Sequence, residues 1–402
     1  MSLEKKRIAI FTERIYPFYH GGSEKVMHNY AKILSQVYDV TVFTSFDQGK
    51  AKQILSNVKF AYISRKMKES NRKGNHSIKA ILSFSFAAFL HRHKIQNFDV
   101  VILDSIHYYY PLLLLRFLKC KNAKVVTVFH EAWYEYRMLG AVSLPLSYFI
   151  GICIRRLIRY SDTIVSISSP TTDSLVGNYK VKKDDVFTIP LGIDYSTIAD
   201  QHNVENILKR RYDLVFVGRF ASIKRVSDII DAVSILTKRG KKLEVALIGD
   251  GPQRRLLERK IEKLGLSESF HLFGFVNESE KYSTVSDAKI FVLPSEREGF
   301  SLSTLEAMSL GCIPIVGKPK FNEVFGVSHF VKNGENGLYY PVGNVNELAL
   351  AISNCLDNLE TCILISSKAV ATAKLYTINE MANRIYDTLK QILGDTNVSI
   401  AT

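Results

Sequence analysis

Residues 289–306 read KIFVLPSEREGFSLSTLE and contain the local pattern that decides the fold. The apolar run Lys289–Leu293 has the length and composition of a buried strand. A turn with Gly299 follows, and Ser303–Leu310 then has the character of a helix. A strand, a turn and a helix in this order predict one unit of a parallel α/β sheet.

Two carboxylates belong to this unit, Glu298 in the turn and Glu306 in the helix. Backbone amides of Phe300–Ser303 lie at a helix N-terminus, where they can bind an anion. Carboxylates beside such a site can accept hydrogen bonds from sugar hydroxyls. The alternative is that Ser303–Glu306 form a capping box, in which Glu306 only stabilises the helix. The residues alone leave both interpretations open.

Apolar runs alternate with amphipathic segments along the rest of the chain. The predicted strands are Arg7–Thr12, Val40–Thr44, Val100–Leu103, Lys124–Phe129, Thr163–Ile167, Val186–Ile189, Asp213–Val217, Leu243–Ile248, Phe270–Leu272, Lys289–Leu293 and Ile313–Val316. The predicted helices are Ser23–Val37, Ser77–Lys94, Leu146–Arg159, Val226–Lys238, Arg254–Leu264, Ser303–Leu310 and Val345–Asn358. Near-continuous Val/Ile runs between helices are typical of parallel sheets covered on both faces.

The pattern restarts after the polar stretch Asp194–Arg211, which we interpret as a linker. We therefore expect an α/β protein with two Rossmann-like, doubly wound domains, 1–194 and 195–375, facing across a cleft. Ligands of such sheets lie beyond the carboxyl ends of the strands.

Composition narrows the class of protein. A chain of 402 residues exceeds one typical core, and 47% hydrophobic residues are ordinary for a globular protein. Its five cysteines form no Cys-x-x-Cys pair, which argues against a disulfide framework or thiolate metal site and favours the cytosol. The longest nearly uncharged stretch, Ala141–Ile154, has 14 residues, fewer than the roughly 20 that cross a bilayer. The net charge of +14 indicates an anionic partner: nucleic acid, a membrane surface or a phosphorylated substrate.

A second motif, VGRFASIK at 217–224, lies between a predicted strand and a predicted helix. Arg219 and Lys224 can converge on a diphosphate, one as a planar fork and one as a point charge, and together replace a divalent metal. The alternative is a solvated basic loop, since Arg225 is adjacent.

Three weaker signals accompany these motifs. The turn Gly249–Pro252 is explained equally well as a structural turn, and Gly21-Gly22 opens the first helix, where glycine lets backbone approach a ligand. His130 ends a predicted strand and is either a cleft residue or a buried structural histidine. The sequence contains no HExxH, GxSxG or Walker motif.

Taken together and in order, these motifs resemble the retaining glycosyltransferases of family 4, also called glycosyl transferases group 1, which have the GT-B fold. The resemblance covers nearly the whole chain and is most specific over 213–310. It implies that the segment 376–402, from about Tyr376, crosses back to the first domain. It also implies a UDP- or GDP-sugar donor in the second domain, an acceptor on the first domain, and no cofactor or metal.

The resemblance also implies roles for individual residues. Arg219 and Lys224, following Gly218, would hold the diphosphate, and Glu306 would bind the ribose. Glu298 and His130 would contact the donor sugar. The donor would further meet the backbone of Gly22, the amides of Phe300, Ser301 and Leu302, and the segment Phe273–Val276 with Phe275 at the base.

Some positions depart from the family pattern. The segment Gly317–Asn333 replaces a Gly-Gly-x-x-Glu loop, and His329 is the candidate for the place of its glutamate. Pro190–Asp194 lacks the usual asparagine, and Arg225 stands where a glycine is common.

The expected activity is metal-independent, retaining transfer of a hexose-type sugar to a hydroxyl or phosphate acceptor. A nucleotide-sugar epimerase or a phosphorylase is the alternative within this fold, although the spacing of Glu298 and Glu306 argues against both. A nucleic-acid-binding protein is the alternative outside it, but aromatic and basic residues are not interleaved as a stacking platform requires.

The first domain carries two stretches that combine basic and apolar residues. Ser64–Lys94 is strongly basic around the apolar run Ile81–Leu90, and Leu144–Ile154 precedes Arg155, Arg156 and Arg159. These stretches predict a peripheral enzyme on the cytosolic face of an anionic membrane, acting on a lipid-linked or glycan acceptor. The alternatives are buried helix faces with a solvated rim, or attraction to a phosphorylated soluble glycan.

Overall fold

The computed structural model describes residues 5–16, 22–45, 55–64, 78–91, 97–105, 123–132, 144–201, 207–319 and 324–394. The chain forms two compact units. The first comprises Met1–Asn71, Asn75–Leu191 and Met381–Thr402, and the second contains Gly192–Glu380.

The first unit is built on a seven-stranded parallel sheet. Its strands are β1 (Arg7–Phe11), β2 (Asp39–Thr44), β3 (Val58–Tyr62), β4 (Val100–Asp104), β5 (Lys124–Phe129), β6 (Thr163–Ser166) and β7 (Val186–Thr188). Their order is β3-β2-β1-β4-β5-β6-β7. The helices described with them are α1 (Gly22–Leu34), α2 (Ile78–Leu90), α3 (Leu144–Tyr160) and α4 (Ser169–Tyr179).

The second unit is built on a six-stranded parallel sheet. Its helices are α5 (Tyr195–Gln201), α6 (Val226–Lys238), α7 (Arg254–Lys263), α8 (Glu278–Ser286), α9 (Leu302–Ser309), α10 (Val345–Asp357) and α11 (Leu359–Ala373). Its strands are β8 (Tyr212–Val217), β9 (Val245–Ile248), β10 (Phe270–Gly274), β11 (Ala288–Leu293), β12 (Ile313–Lys318) and β13 (Leu338–Pro341). Their order is β10-β9-β8-β11-β12-β13.

The last helix, α12 (Ile378–Leu393), begins in the second unit and belongs to the first unit from Met381 onward. The hydroxyl of Tyr386 donates a hydrogen bond of 2.5 Å to the carbonyl of Ile33 in α1. This anchor is buried, so the C-terminal helix is an integral part of the first unit.

Central strands are buried because their sequences are uninterrupted apolar runs. Ile8–Phe11 in β1 are fully buried, and Phe11 stacks on Phe43 of the neighbouring strand with 4.5 Å between ring centroids. Helices cover both faces of such a sheet, which leaves the loops at the strand ends as the accessible polar positions.

In both sheets the strand order reverses once, between β1 and β4 in the first unit and between β8 and β11 in the second. Adjacent loops diverge to opposite faces at such a switch point, and the crevice between them is where ligands bind in open α/β sheets. Both principal motifs of the second unit, at 217–224 and 293–306, follow the two strands of its switch point.

The predicted α/β fold with two Rossmann-like, parallel-sheet domains is confirmed. The sequence did not reveal the edge strands β3 and β13 or the helices α4, α8 and α11. In β3 the apolar run is interrupted by Lys59, and β13 is only four residues long and ends at Pro341, so neither has the length and continuity of a central strand. The predicted linker Asp194–Arg211 contains helix α5 and a 3₁₀ turn at Ile207–Lys209.

The units change at Leu191/Gly192 and Glu380/Met381, whereas the sequence suggested 194/195 and 375/376. Ile193 forms a parallel bridge with Thr377, and the two segments exchange backbone hydrogen bonds of 2.9 and 3.0 Å. A Cβ at Gly192 would collide with the carbonyl of Thr377, so a glycine is required at this close approach. These hydrogen bonds hold both junction segments within the second unit.

Candidate functional site

The loops that follow β8 and β11 are bonded to each other. The backbone amide of Glu296 donates to the carbonyl of Ile223 at 2.9 Å. The side chains of the same two loops also meet: Nζ of Lys224 lies 2.5 Å from Oε1 of Glu298, and these side chains are 27% and 13% exposed. The structure thus brings together the basic motif and the carboxylate motif, which are 74 residues apart in sequence.

Glycines at the ends of β8 and β9 allow their loops to pack backbone against backbone. A Cβ at Gly249 would collide with the carbonyl of Gly218, and one at Gly251 would lie 2.5 Å from the carbonyl of Phe220. Gly249 also has a φ of +133°, a conformation that other residues rarely adopt. The Gly249–Pro252 turn therefore has a structural role, because it supports the loop that carries Arg219.

The two basic residues of that loop differ in their surroundings. Arg219 is exposed, and its side chain makes no hydrogen bond or ion pair within the described part of the chain. Lys224, at the end of a 3₁₀ turn, is already bonded to Glu298. An incoming anion would therefore meet one available guanidinium and one ammonium shared with a carboxylate.

Arg225 has a φ of +48°, in the left-handed region that favours glycine. Its guanidinium bonds Asp228 through Nε at 2.8 Å and Nη2 at 3.1 Å, and Glu296 through Nη1 at 3.1 Å. These bonds offset the unfavourable backbone conformation. Arg225 thus keeps the left-handed backbone that the usual glycine would adopt. Its side chain also bonds the loop to helix α6 and to Glu296.

Helix α9 begins one residue earlier than predicted, at Leu302, and is capped by Ser301. The Ser301 side chain accepts a hydrogen bond from the amide of Thr304, although at 3.4 Å it is long. The capping-box interpretation of Ser303–Glu306 is therefore wrong. Ser301 itself has a φ of +80°, so a strained residue forms the corner at which the first amides of α9 lie.

The Glu306 carboxylate is buried and bonded to helix α8. Lys281 donates to its Oε2 at 2.8 Å, and the hydroxyl of Tyr282 lies 3.3 Å from its Oε1. The same two side chains also contact Oε2 of Glu278, at 3.0 and 2.8 Å. Burial, together with the charges of Glu306 and Glu278, raises the pKa of Tyr282, which therefore remains a neutral hydrogen-bond donor.

The side chain of Phe300 is a packing anchor. It is buried, with ring centroids 4.9 Å from Phe330, 5.9 Å from His329 and 6.1 Å from Tyr376. Only the backbone of Phe300 is thus available for a ligand. Phe275, which follows β10, is by contrast 71% exposed, and an exposed aromatic ring can stack on an aromatic base.

The atypical 317–333 segment closes against the Glu298 turn. The amide of Gly326 donates to the carbonyl of Glu298 at 2.8 Å, and a Cβ at Gly326 would collide with the carbonyl of Gly299. His329 ends the 3₁₀ turn that begins at Gly326. Residues 320–323 of this segment lie outside the described part.

In the first unit, His130 follows β5 and is buried. Its Nε2 lies 3.3 Å from Oδ1 of Asp104, at the end of the neighbouring strand β4. The hydroxyl of Thr12, beyond β1, lies 3.0 Å from the other oxygen of Asp104. Sequence reasoning missed Asp104 and Thr12, although both stand at the carboxyl ends of predicted strands beside His130.

Gly22 is the first residue of α1, and among the described residues no atom lies within 4 Å of a Cβ built on it. Packing against the described residues therefore does not require a glycine here. Gly22 and His130 belong to the first unit, whereas Gly218, Arg219, Lys224, Phe275, Glu298, Phe300, Ser301, Leu302 and Glu306 belong to the second. Across the described residues, no group of three or more His, Cys, Asp or Glu side chains has the arrangement of a metal site.

Two family profiles match the chain. The profile described as Glycosyltransferase Family 4 matches residues 20–197, and that described as Glycosyl transferases group 1 matches residues 197–369. The solved structure of Anabaena HepE with UDP and glucose superposes with a TM-score of 0.75 at 16% identity, over 96% of this chain and 100% of that one. This likeness shows the fold.

Among proteins of assigned activity, the chain is similar to the alpha-D-kanosaminyltransferase of Streptomyces kanamyceticus. They are 27% identical over 263 residues, which is 63% of this chain and 65% of that enzyme, slightly less than two thirds of its length. The chain is also similar to the N-acetylgalactosamine-N,N'-diacetylbacillosaminyl-diphospho-undecaprenol 4-alpha-N-acetylgalactosaminyltransferase of Campylobacter jejuni. These two are 24% identical over 399 residues, which is 97% of this chain and 100% of that enzyme.

The profile matches follow one another from residue 20 to residue 369 and meet at residue 197, close to the Leu191/Gly192 change between the two units. The chain therefore belongs to the group 1 glycosyltransferases, with the GT-B fold.

Proposed function

We propose that the protein transfers a hexose-type sugar from a UDP- or GDP-sugar to an acceptor, with retention at the anomeric carbon and without a metal ion. The observation that carries the proposal is the Lys224–Glu298 pair at the switch point of the second sheet, with the exposed Arg219 on the same loop as Lys224. An ammonium and a guanidinium match the negative charges of a nucleoside diphosphate, and a carboxylate can accept hydrogen bonds from the hydroxyls of its sugar. All three groups follow the carboxyl ends of neighbouring strands, where ligands of such sheets bind.

In the proposed reaction, the bond between the anomeric carbon and the diphosphate oxygen breaks, and its electron pair leaves with the diphosphate. Arg219 and Lys224 stabilise the developing negative charge. The acceptor oxygen forms its bond on the face that the diphosphate leaves, and its proton passes to a phosphate oxygen. Glu298 accepts hydrogen bonds from the sugar hydroxyls once the diphosphate draws Lys224 toward itself.

Ligand-dependent melting tests the donor class. Nucleoside diphosphates with uracil, guanine or adenine, together with their hexose conjugates, should separate into ligands that raise the melting temperature and ligands that do not. A ligand at 100 times its dissociation constant stabilises the protein by about 2.7 kcal/mol. The proposal expects this shift with the uracil or the guanine series; no shift with either at millimolar concentration would reject it.

Product stereochemistry tests the mechanism. The proton NMR spectrum of the first product formed should show the anomeric configuration of the donor sugar. An inverted product would overturn retention while leaving the donor assignment intact.

The proposed acceptor is a lipid-linked or glycan molecule at the cytosolic face of a membrane. The Campylobacter relative carries a diphospho-undecaprenol substrate in its name. In this chain, the helix α3 supplies a second argument. Its residues Tyr148, Phe149 and Ile152 are each more than half exposed, although large apolar side chains favour burial.

These apolar residues continue into a basic series on the same helix. Among the described side chains of α3, the exposed ones are Tyr148, Phe149, Ile152, Arg155, Arg156 and Arg159, whose spacing of three and four residues forms one stripe. Ile150, Ile154 and Leu157 form the opposite, buried face. On α2, Phe86 and Leu90 are also exposed. Both predicted apolar runs thus include exposed as well as buried side chains among their described residues.

An apolar and basic stripe of this kind suits an anionic membrane surface, where each basic residue contributes about 1 kcal/mol. None of the helices in the described part is long and apolar enough to cross a membrane. Most of the basic stretch 64–94 that precedes and overlaps α2 lies outside the described residues.

Liposome flotation tests this surface. The pair Arg156→Ser and Arg159→Ser, and separately Tyr148→Ser with Ile152→Ser, should weaken binding to vesicles containing anionic lipid. The matched control is Arg255→Ser with Arg259→Ser, which removes two exposed charges from α7 in the second unit. Equal flotation of all variants, or no flotation of the wild type at low salt, would reject membrane docking.

A further inference from the structure

Helix α8 contributes a charged residue to the interior of the second unit. Lys281 is 7% exposed, and its ammonium bridges Oε2 of Glu278 and Oε2 of Glu306, at 3.0 and 2.8 Å. The ammonium also lies 4.2 Å from the centroid of the Tyr282 ring. Burying such a lysine is unfavourable, and a well-packed apolar residue of similar volume is often neutral or better for stability. Stability of the fold therefore does not by itself account for a lysine at this position.

The hydrogen-bond donors in this cluster are shared unequally. Tyr282 has one hydroxyl proton and lies closer to Glu278 than to Glu306, at 2.8 against 3.3 Å. Lys281 has three protons and donates to both carboxylates. Lys281 is therefore the stronger of the two contacts from α8 to Glu306.

A glutamate side chain ends in a torsion with a broad energy minimum, so its carboxylate plane is not set by the side chain itself. The contacts of Lys281 at Oε2 and Tyr282 at Oε1 hold that plane in one orientation. A vicinal diol donates two hydrogen bonds in a fixed relative geometry, and a carboxylate can receive both only when its plane is oriented correctly.

We propose that Lys281 is a positioning residue that orients the Glu306 carboxylate to recognise the 2′- and 3′-hydroxyls of the donor's ribose. The inference rests on the proposed function, in which Glu306 binds the ribose. Lys281 itself touches neither the sugar nor the base; it acts through Glu306. Selection of ribonucleotides over deoxyribonucleotides then depends on a residue of α8 as well as on α9.

The experiment measures the dissociation constants of a ribonucleoside diphosphate and its 2′-deoxy form by calorimetry, using UDP or GDP, whichever binds more tightly. A hydrogen bond to a charged group corresponds to about tenfold or more in affinity, so the wild type should prefer the ribonucleotide by at least that factor. Lys281→Met should reduce the preference about tenfold, toward equal binding. Lys281→Arg, which keeps the charge, should retain most of it.

Two further variants separate positioning from general loss of structure. Lys289→Met removes a lysine bonded to Asp213 at 2.7 Å in the same unit, and should leave the ribose preference unchanged. Glu306→Gln should abolish the preference, and adding Lys281→Met to it should have no further effect.

A folded Lys281→Met protein with the wild-type ratio of the two dissociation constants would overturn the proposal. Equal weakening of both ligands would do the same, because it indicates structural support only. A wild type that binds nucleotides without preferring ribose overturns this inference alone, whereas a wild type that binds neither UDP nor GDP overturns the proposed function with it.

Discussion

Arg219→Ala and Lys224→Ala should have the same effect on catalysis but different effects on stability. Both side chains are proposed to stabilise the leaving diphosphate. Arg219 is exposed and has no side-chain partner in the described residues, whereas Lys224 is bonded to Glu298, whose side chain is only 13% exposed.

The expected magnitudes follow from these surroundings. Loss of one charged hydrogen-bonding partner costs about 1.5–3 kcal/mol, or roughly ten- to hundredfold in kcat/KM, for each variant. Arg219→Ala is a surface change and should alter the free energy of unfolding by less than about 0.5 kcal/mol. Lys224→Ala leaves a mostly buried carboxylate without its partner and should destabilise the protein by about 1–3 kcal/mol.

Initial rates with the preferred donor and urea unfolding of the same preparations provide the two measurements. Lys260→Ala is the matched control, because Lys260 is bonded to Asp231 at 2.5 Å and is 31% exposed, much like Lys224. This control should keep the wild-type kcat/KM. Wild-type kcat/KM in Arg219→Ala would refute the diphosphate assignment, and equal destabilisation of both variants would refute the account of their surroundings.

Four other outcomes are expected. Turnover should persist in excess EDTA, because Arg219 and Lys224 supply the positive charge; complete loss that added metal restores would contradict this. Glu306→Ala should weaken nucleotide binding in calorimetry, whereas Glu298→Ala should chiefly lower kcat, and the opposite assignment of effects would exchange their roles. Ser301→Ala should destabilise the protein by about 1 kcal/mol through loss of the cap, while Ser301→Gly should be neutral or stabilising in thermal melts, because glycine accommodates the φ of +80°. The pKa of Tyr282 in the folded protein is raised above the pKa of about 10 that it has in the unfolded chain, so its contribution to stability is complete below pH 10 and is lost at higher pH. Tyr282→Phe should therefore lose stability less steeply than the wild type above pH 10. An identical slope for the two proteins would contradict that contribution.

The sequence determined the features that depend on neighbouring residues. Uninterrupted apolar runs predicted the central strands, because a strand buried on both faces needs no polar alternation. The turns after β8 and β11 were recognisable from Gly218, Arg219 and Glu298, since glycines and charges at strand ends are local signals. The two-domain organisation followed from the restart of the same alternation.

Only the tertiary structure decided the features that join distant segments. The Lys224–Glu298 contact joins residues 74 positions apart, and the Lys281–Glu306 contact joins residues 25 positions apart. Asp104 meets His130 because β4 and β5 are neighbours in the sheet, and Ser301 replaces Ser303 as the helix cap because the turn before α9 has a left-handed corner. A side chain's partner depends on which strands become neighbours, so these contacts follow from the packing of whole elements rather than from local sequence.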